Sequence, residues 1–437
     1  MNTKYSYTPL PEGHCRLLEL LPGKFDDNVH VRLKSIRLGA NDSPSYEALS
    51  YVWGSEEEPQ KVWIKPQAPE ALPFAYINVT RNLFGALRHL RRRSQGRILW
   101  VDAICINQED VDERSEQVRQ MPLIHRTAAQ VTIRLGPAAE ATDGAIATLR
   151  SWAQDAMYDT HNDSPLAKDD YLPGMTWTVD RSSLDHRSKI FKCVRALFDR
   201  PWFARLWVRQ EAYLSASKAT VFCGYETLPW NEFVAGALAF YQRRCSFGVP
   251  DREQFRKRRV LVLYIIGPRR MSLLNALLAV RSANCSDPRD KVYGVLGMAE
   301  DTDPEVVRAV KVDYNIGVED LYKQVAKIII DKTRSLQILR CCFPSKANSR
   351  LPTWVPDWNT DHDLPYAYHR EQYFLPQGMS PTEFCMPKVF KLPLSSKLSP
   401  NTYHANPLHQ SMSLRSGGCM QFSCLISRMC LLMWCLT

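Results

Sequence analysis

Residues 97–114, RILWVDAICINQEDVDER, decide how this chain is read. Ile98 to Ile104 is a nearly continuous apolar run carrying one acid, Asp102. Such a run suits a central strand covered on both faces. It stops in a polar loop, Asn107-Gln108-Glu109-Asp110, and a charged helix start follows. Open α/β sheets place their ligand sites outside the carboxyl ends of strands. The stretch therefore predicts a buried strand that delivers polar side chains to a site.

Working outward, the flanks extend the alternation of strand and helix. Upstream, His14 to Leu21 and Val29 to Leu38 predict two strands split by the Pro22-Gly23 turn, and Tyr46 to Val52 a third. Val79 to Arg93 predicts a helix, with Leu83, Ala86, Leu87 and Leu90 on one face and Thr80 as N-cap. Downstream, Asp110-x-x-Glu113 predicts a capping box. Val118, Met121, Ile124, His125 and Ala128 line the helix that follows, which Pro122 should kink. Val131 to Leu135 and Ala219 to Cys223 predict further strands. Strand, helix, strand, helix, strand argues for an α/β sheet.

Residues 138–190 read as an insertion. From Trp230 the pattern is mainly helical: Phe233 to Tyr241, Val260 to Ile266, Leu273 to Val280 and Leu321 to Asp331, with Asp287 and Pro288 opening another helix. The expected organisation is a flavodoxin-like, mostly parallel α/β domain over 1–225 and a helix-rich region over 226–375. An atypical tail occupies 376–437. Past Ser380 the chain holds many serines and the single acid Glu383. A shifted reading frame or retained intron would give this composition; a disordered tail is the alternative.

The bulk properties exclude several classes. No segment reaches the ~18–20 apolar residues of a membrane span, and no signal peptide is legible. Thirteen cysteines without metal-ligand spacing suggest reduced thiols, no metal and a cytoplasmic setting. The net charge of +10 gathers in clusters such as Arg91-Arg92-Arg93 and Lys257-Arg258-Arg259. None is interleaved with aromatics as a single-strand binder requires, so neither nucleic acid nor membrane is expected as partner. There is no phosphate-binding Gly-rich loop. Cys105 and His125 lack an orienting third group for nucleophilic catalysis.

Three blocks stand in order: YEALSYVWG (46–54), LWVDAICINQEDVDERSEQVRQM through Gly136, and RPWFARLWVRQE (200–211). Together they closely resemble the fungal heterokaryon incompatibility (HET) domain over residues 46–211. CSDPRDKVYGVLG (285–297) and LPTWVPDW (351–358) resemble the extended region of large HET proteins. Pro122 and Arg134 depart from the family, which tends to show a non-proline and a tryptophan there. The resemblance implies fungal non-self recognition ending in cell death, with an incompatibility partner protein. More faintly, the motif order resembles that of TIR domains. Trp207-Val-Arg-Gln-Glu211 looks like the TIR Trp-x-x-x-Glu segment, which implies a catalytic role for Glu211 in NAD cleavage. NAD would be a substrate rather than a resident cofactor, and self-association would accompany activity.

The residue chemistry fits that reading without requiring it. One carboxylate can stabilise an oxocarbenium-like ribosyl cation, and nicotinamide leaves without a general acid. Glu211 could instead pair with Arg200, Arg205 or Arg209. Asp102 is either a second site carboxylate or the partner of an arginine such as Arg114. Asn107 and Gln108 suit ribose or amide recognition, or Asn107 closes a turn on its own backbone. Ser50, Tyr51, Trp53 and Gly54 end the first strand of the motif; Gly54 would admit a ligand close to the backbone, and Trp53 could be core. Arg114, Trp207 and Gln210 complete the candidate set. The alternative is a non-enzymatic assembly module, with the same Trp and Arg residues as interface anchors.

Overall fold

The computed structural model describes residues 3–40, 43–66, 75–139, 142–157, 184–215, 218–242, 249–266, 271–342 and 350–360. The tail after 360 and residues 158–183 of the expected insertion lie outside the described residues.

Ten strands form one sheet: β1 (Thr3–Lys4), β2 (His14–Leu20), β3 (His30–Arg37), β4 (Glu47–Ser50), β5 (Gln60–Ile64), β6 (Ala75–Val79), β7 (Arg97–Trp100), β8 (Gln130–Arg134), β9 (Ala219–Cys223) and β10 (Glu226–Pro229). Their order is β1-β6-β5-β3-β2-β7-β4-β8-β9-β10. The middle, β7-β4-β8-β9, is all parallel. Taken in chain order, these four stand second, first, third, fourth, as in doubly wound sheets that bind ligands at the reversal of strand order. The β1 flank is mixed, with β2 antiparallel to both β3 and β7. The α/β class is as expected; the antiparallel flank and the strands β1, β5, β6 and β10 were not legible.

Helices cover both faces: α1 (Arg81–Leu90), α2 (Asp102–Cys105), α3 (Val111–Thr127), α4 (Thr142–Met157), α5 (Lys189–Phe198) and α6 (Val208–Ser215). The C-terminal region is helical as expected: α7 (Trp230–Gln242), α8 (Val249–Ile266), α9 (Leu273–Ala279), α10 (Asp290–Tyr293), α11 (Leu296–Ala299), α12 (Pro304–Ala309) and α13 (Val318–Thr333). Thr80 caps α1 through Leu83 N–H, as its sequence demands. One apolar core runs from Cys15 to Trp358, and α8 and α11 pack on α6. The helical region therefore buries apolar surface jointly with the sheet.

Three expectations are corrected. The strand of the opening stretch ends at Trp100, and Asp102 begins the one-turn helix α2. The reason is local: Asp102 Oδ1 accepts the Ala103 N–H at 2.7 Å, and Cys105 N–H closes the turn on Val101 O at 2.7 Å. Asp110 does cap α3, accepting from Asp112 and Glu113 N–H. Glu113, however, turns away from the reciprocal bond of a capping box and takes the Asn107 N–H and the Arg16 guanidinium. Asp287 does not cap α10; it pairs with Arg289 two residues on. Helix α3 continues through Pro122 to Thr127, its apolar face seated in the core.

Part of the expected insertion is α4, which packs on α7 across Gly236. A Cβ there would lie 2.6 Å from Leu149 O and 2.8 Å from Leu149 Cα. Helix propensity alone favours Gly→Ala by about 1 kcal/mol. Overpacking reverses the sign, and Gly236→Ala is expected to cost about 2 kcal/mol in a urea titration.

Candidate functional site

The carboxyl ends of β4 and β7 lie side by side because the two strands are parallel neighbours. From β4, the chain continues through Ser50, Tyr51 and Trp53; from β7, it enters α2 at Asp102. Trp53 Nε1 donates to Asp102 Oδ2 at 2.8 Å. The Tyr51 hydroxyl also bonds Asp102. Gln108 Nε2 donates to Asp102 O at 3.0 Å, folding the polar loop back over α2.

Helix α6 brings Glu211 to the same place. Its side chain is only 4% exposed, and its Oε2 has no hydrogen-bond partner among the described residues. Ser50 bonds the carboxyl while accepting the Trp202 indole N–H at 2.9 Å. Arg205 donates to Tyr51 O and acts electrostatically on both Glu211 and Asp102. The cluster is therefore two interacting carboxylates, one guanidinium and a relay of hydroxyl and indole donors.

Burial dominates the electrostatics. It lifts the Glu211 carboxyl to about 7; Arg205 and the Ser50 bond oppose the rise, and Asp102 adds to it. Burial also raises Asp102, against Arg205 and its bonds to Trp53, the Ala103 N–H and Tyr51. Perturbed acids gathered at a strand end are what an active site requires, although structural networks show them too.

Other candidate residues lie elsewhere. Trp207 Nε1 donates to Asp290 Oδ2 at 3.1 Å. Arg114 stacks over the Tyr314 ring at 4.2 Å and acts on Asp287 and Asp290, so it is not the partner of Asp102. Gln210 accepts the Gly297 N–H at 2.9 Å, tying α6 to α11. All three thus join the motif region to the C-terminal helices. Asn107 closes a turn, its Oδ1 accepting the Glu109 N–H at 3.3 Å. Gly54 has φ +81°, and a Cβ there would meet the Asn82 amide at 2.6 Å, so this glycine makes room for Asn82. His125 is fully buried, edge-on to Trp100; burial, with the nearby Lys218, lowers its pKa to about 4, and burial raises the Cys105 thiol. Two residues of this cluster escaped a purely local reading: Arg205, foreseen only as an ion-pair partner, and Trp202. Their density in RPWFARLW was the available signal.

Asp290 is a further buried acid. It accepts the Tyr314 hydroxyl at 2.5 Å, and burial lifts it to about 6. Glu211 and Asp290 both hold protons in the fold at a pH where the unfolded chain has released them. Their stabilising contribution is whole below about pH 4 and is lost as pH rises through about 6 for Asp290 and about 7 for Glu211. The Glu211 part amounts to about 3 kcal/mol. Urea midpoints are expected to fall between pH 5 and pH 8, and Glu211→Gln should flatten the decline.

The family model described as "Heterokaryon incompatibility protein (HET)" matches residues 46–211. The chain is 31% identical over 425 aligned residues to "Heterokaryon incompatibility protein 6, OR allele" of Neurospora crassa, a match that takes in 84% of this chain and 61% of that protein. The chain thus spans less than two thirds of the length of this relative. No solved structure matches it. No described helix is long and apolar enough to cross a membrane. Strand ends, polar loop and Glu211 segment all fall inside residues 46–211, the region that is similar to the heterokaryon incompatibility (HET) family.

Proposed function

We propose that this chain acts in fungal heterokaryon incompatibility and that its HET domain triggers cell death by cleaving NAD at Glu211, as enzymatic TIR domains do. The observation that carries the chemistry is the buried Glu211 carboxylate, with a free Oε2, beside Asp102 and Arg205 at the carboxyl ends of β4 and β7. The scissile bond joins ribose C1′ to a cationic nicotinamide. It breaks with its electron pair going to nicotinamide, which leaves neutral. Ionised Glu211 then faces the ribosyl cation and stabilises it. Asp102, held by Trp53 and the Ala103 N–H, orients a ribose hydroxyl. Water adds to C1′ and releases its proton to solvent. The reading also takes the protein to be cytoplasmic, where NAD is available, and to act with a second copy or an incompatibility partner.

The test is incubation of the full chain with NAD at high protein concentration, with nicotinamide measured by chromatography. Release by wild type supports the enzyme. No release from wild type, even when clustered on a surface, rejects it and leaves the assembly module.

A further inference from the structure

Arg134 ends β8 and is 6% exposed. Its side chain donates no hydrogen bond and joins no ion pair among the described residues, and no described carboxylate acts on it. Its charged neighbour is a second cation, Arg200. A guanidinium cannot shed its proton at ordinary pH, so burial cannot be relieved by neutralisation. A buried charge is tolerated only when paired and hydrogen-bonded. Most of the side chain is buried, while its nitrogens keep a little contact with water and have no protein acceptor among the described residues, so an anion can reach them.

The surroundings are shaped accordingly. Arg200 is fixed by Leu135 O, Pro137 O and Thr142 Oγ1 at 2.9–3.2 Å. Gly136, at φ +125°, lets it approach; a Cβ there would stand 3.0 Å from Arg200 Nη1. His89 lies close enough to Arg134 and Arg88 that both oppose its protonation. Its Nδ1 is engaged by Gly85 O at 2.7 Å, which leaves Nε2 for a ligand. The Tyr225 ring packs 5.3 Å from His89 and is 80% exposed.

This place is distinct from the Glu211 cleft. Ser50 is in register with Ile133, so those two side chains share one sheet face and Arg134 takes the other. Thr132, on Arg134's face, donates to Glu47 there at 3.2 Å, which confirms the alternation.

We propose that Arg134, Arg200 and His89 form a binding site for a phosphate-type oxyanion on the sheet face opposite Glu211, with the Tyr225 ring as its outer wall. Guanidinium forks match the oxygens of such an anion, and convergent cations favour a dianion over a monoanion. The proposal is independent of NAD cleavage.

The test titrates the full chain with inorganic phosphate against chloride of equal ionic strength, by calorimetry and melting temperature, with acetate as the monoanion. Saturable phosphate binding is expected, weaker by tenfold or more in Arg134→Gln. In phosphate-free buffer Arg134→Gln should melt no lower than wild type, since it removes an uncompensated charge, and phosphate should reverse that order. If Arg134→Gln does not fold, Arg134→Lys, which keeps the charge without the fork, should bind several-fold more weakly. Absence of saturable binding, equal binding by wild type and the Arg134 variant, or acetate binding as tight as phosphate would overturn the proposal.

Discussion

Glu211→Gln is expected to lower nicotinamide release by about 100-fold or more while leaving the fold intact. Removing a preorganised group that meets developing charge costs about 10²–10³ in rate. The substitution keeps the volume of a fully packed side chain and removes only the negative charge, so circular dichroism and melting behaviour report folding separately. The same carboxyl, lifted to about 7, makes a second readout available. Only the ionised form can face a ribosyl cation, so release should climb as pH passes from 6 to 8. Stability should fall over that window. A flat profile, or full activity in Glu211→Gln, would remove Glu211 from the chemistry.

Glu113→Gln should cause the largest loss of stability, about 3–5 kcal/mol, read as a drop in the urea midpoint. Arg16 and Glu113 are paired at 2.5 and 3.0 Å, with side chains 3% and 8% exposed. Arg16 also donates to Cys105 O at 3.1 Å and Thr8 O at 2.5 Å, and Glu113 accepts the Asn107 N–H at 2.7 Å. The pair therefore fastens β2, α2, α3 and the polar loop together. Loss of one charge leaves the other buried without its counterion. Arg16→Met combined with Glu113→Leu should recover part of the loss, because an apolar pair avoids that penalty. If Glu113→Gln unfolds at the wild-type midpoint, the pair is not what holds the loop.

Much of the fold was legible because its signals are local. The Thr80 cap, the one-sided leucines of α1, the apolar run of β7 and the alternation of strand and helix each act within a few residues. The flank strands β1, β5 and β6 were not, since short strands on a mixed flank carry weak periodicity. Asp102 was assigned to a strand because an apolar run looks the same in a strand and in a buried helical turn. The site was half legible. Ser50, Tyr51, Trp53 and Asp102 converge as their positions at strand ends imply, and Glu211 joins them from helix α6. Trp207 does not join them, although it stands four residues before Glu211. It precedes the first residue of α6, so the same-face rule for that spacing does not govern it, and Asp290 draws its indole away.

The sequence by itself determined the α/β class, the central strand with its polar loop, the HET resemblance and the identity of the two candidate carboxylates. These rest on periodicity, capping and motif order, which are properties of neighbouring residues. Only the tertiary structure decided that Arg205 is the cation shared by Asp102 and Glu211, and that Trp207, Arg114 and Gln210 serve the C-terminal helices instead. It also decided that Arg134 ends buried without a carboxylate. Those outcomes depend on which elements pack together across 80 or more residues of chain, and on how much water the packing removes, and local sequence encodes neither.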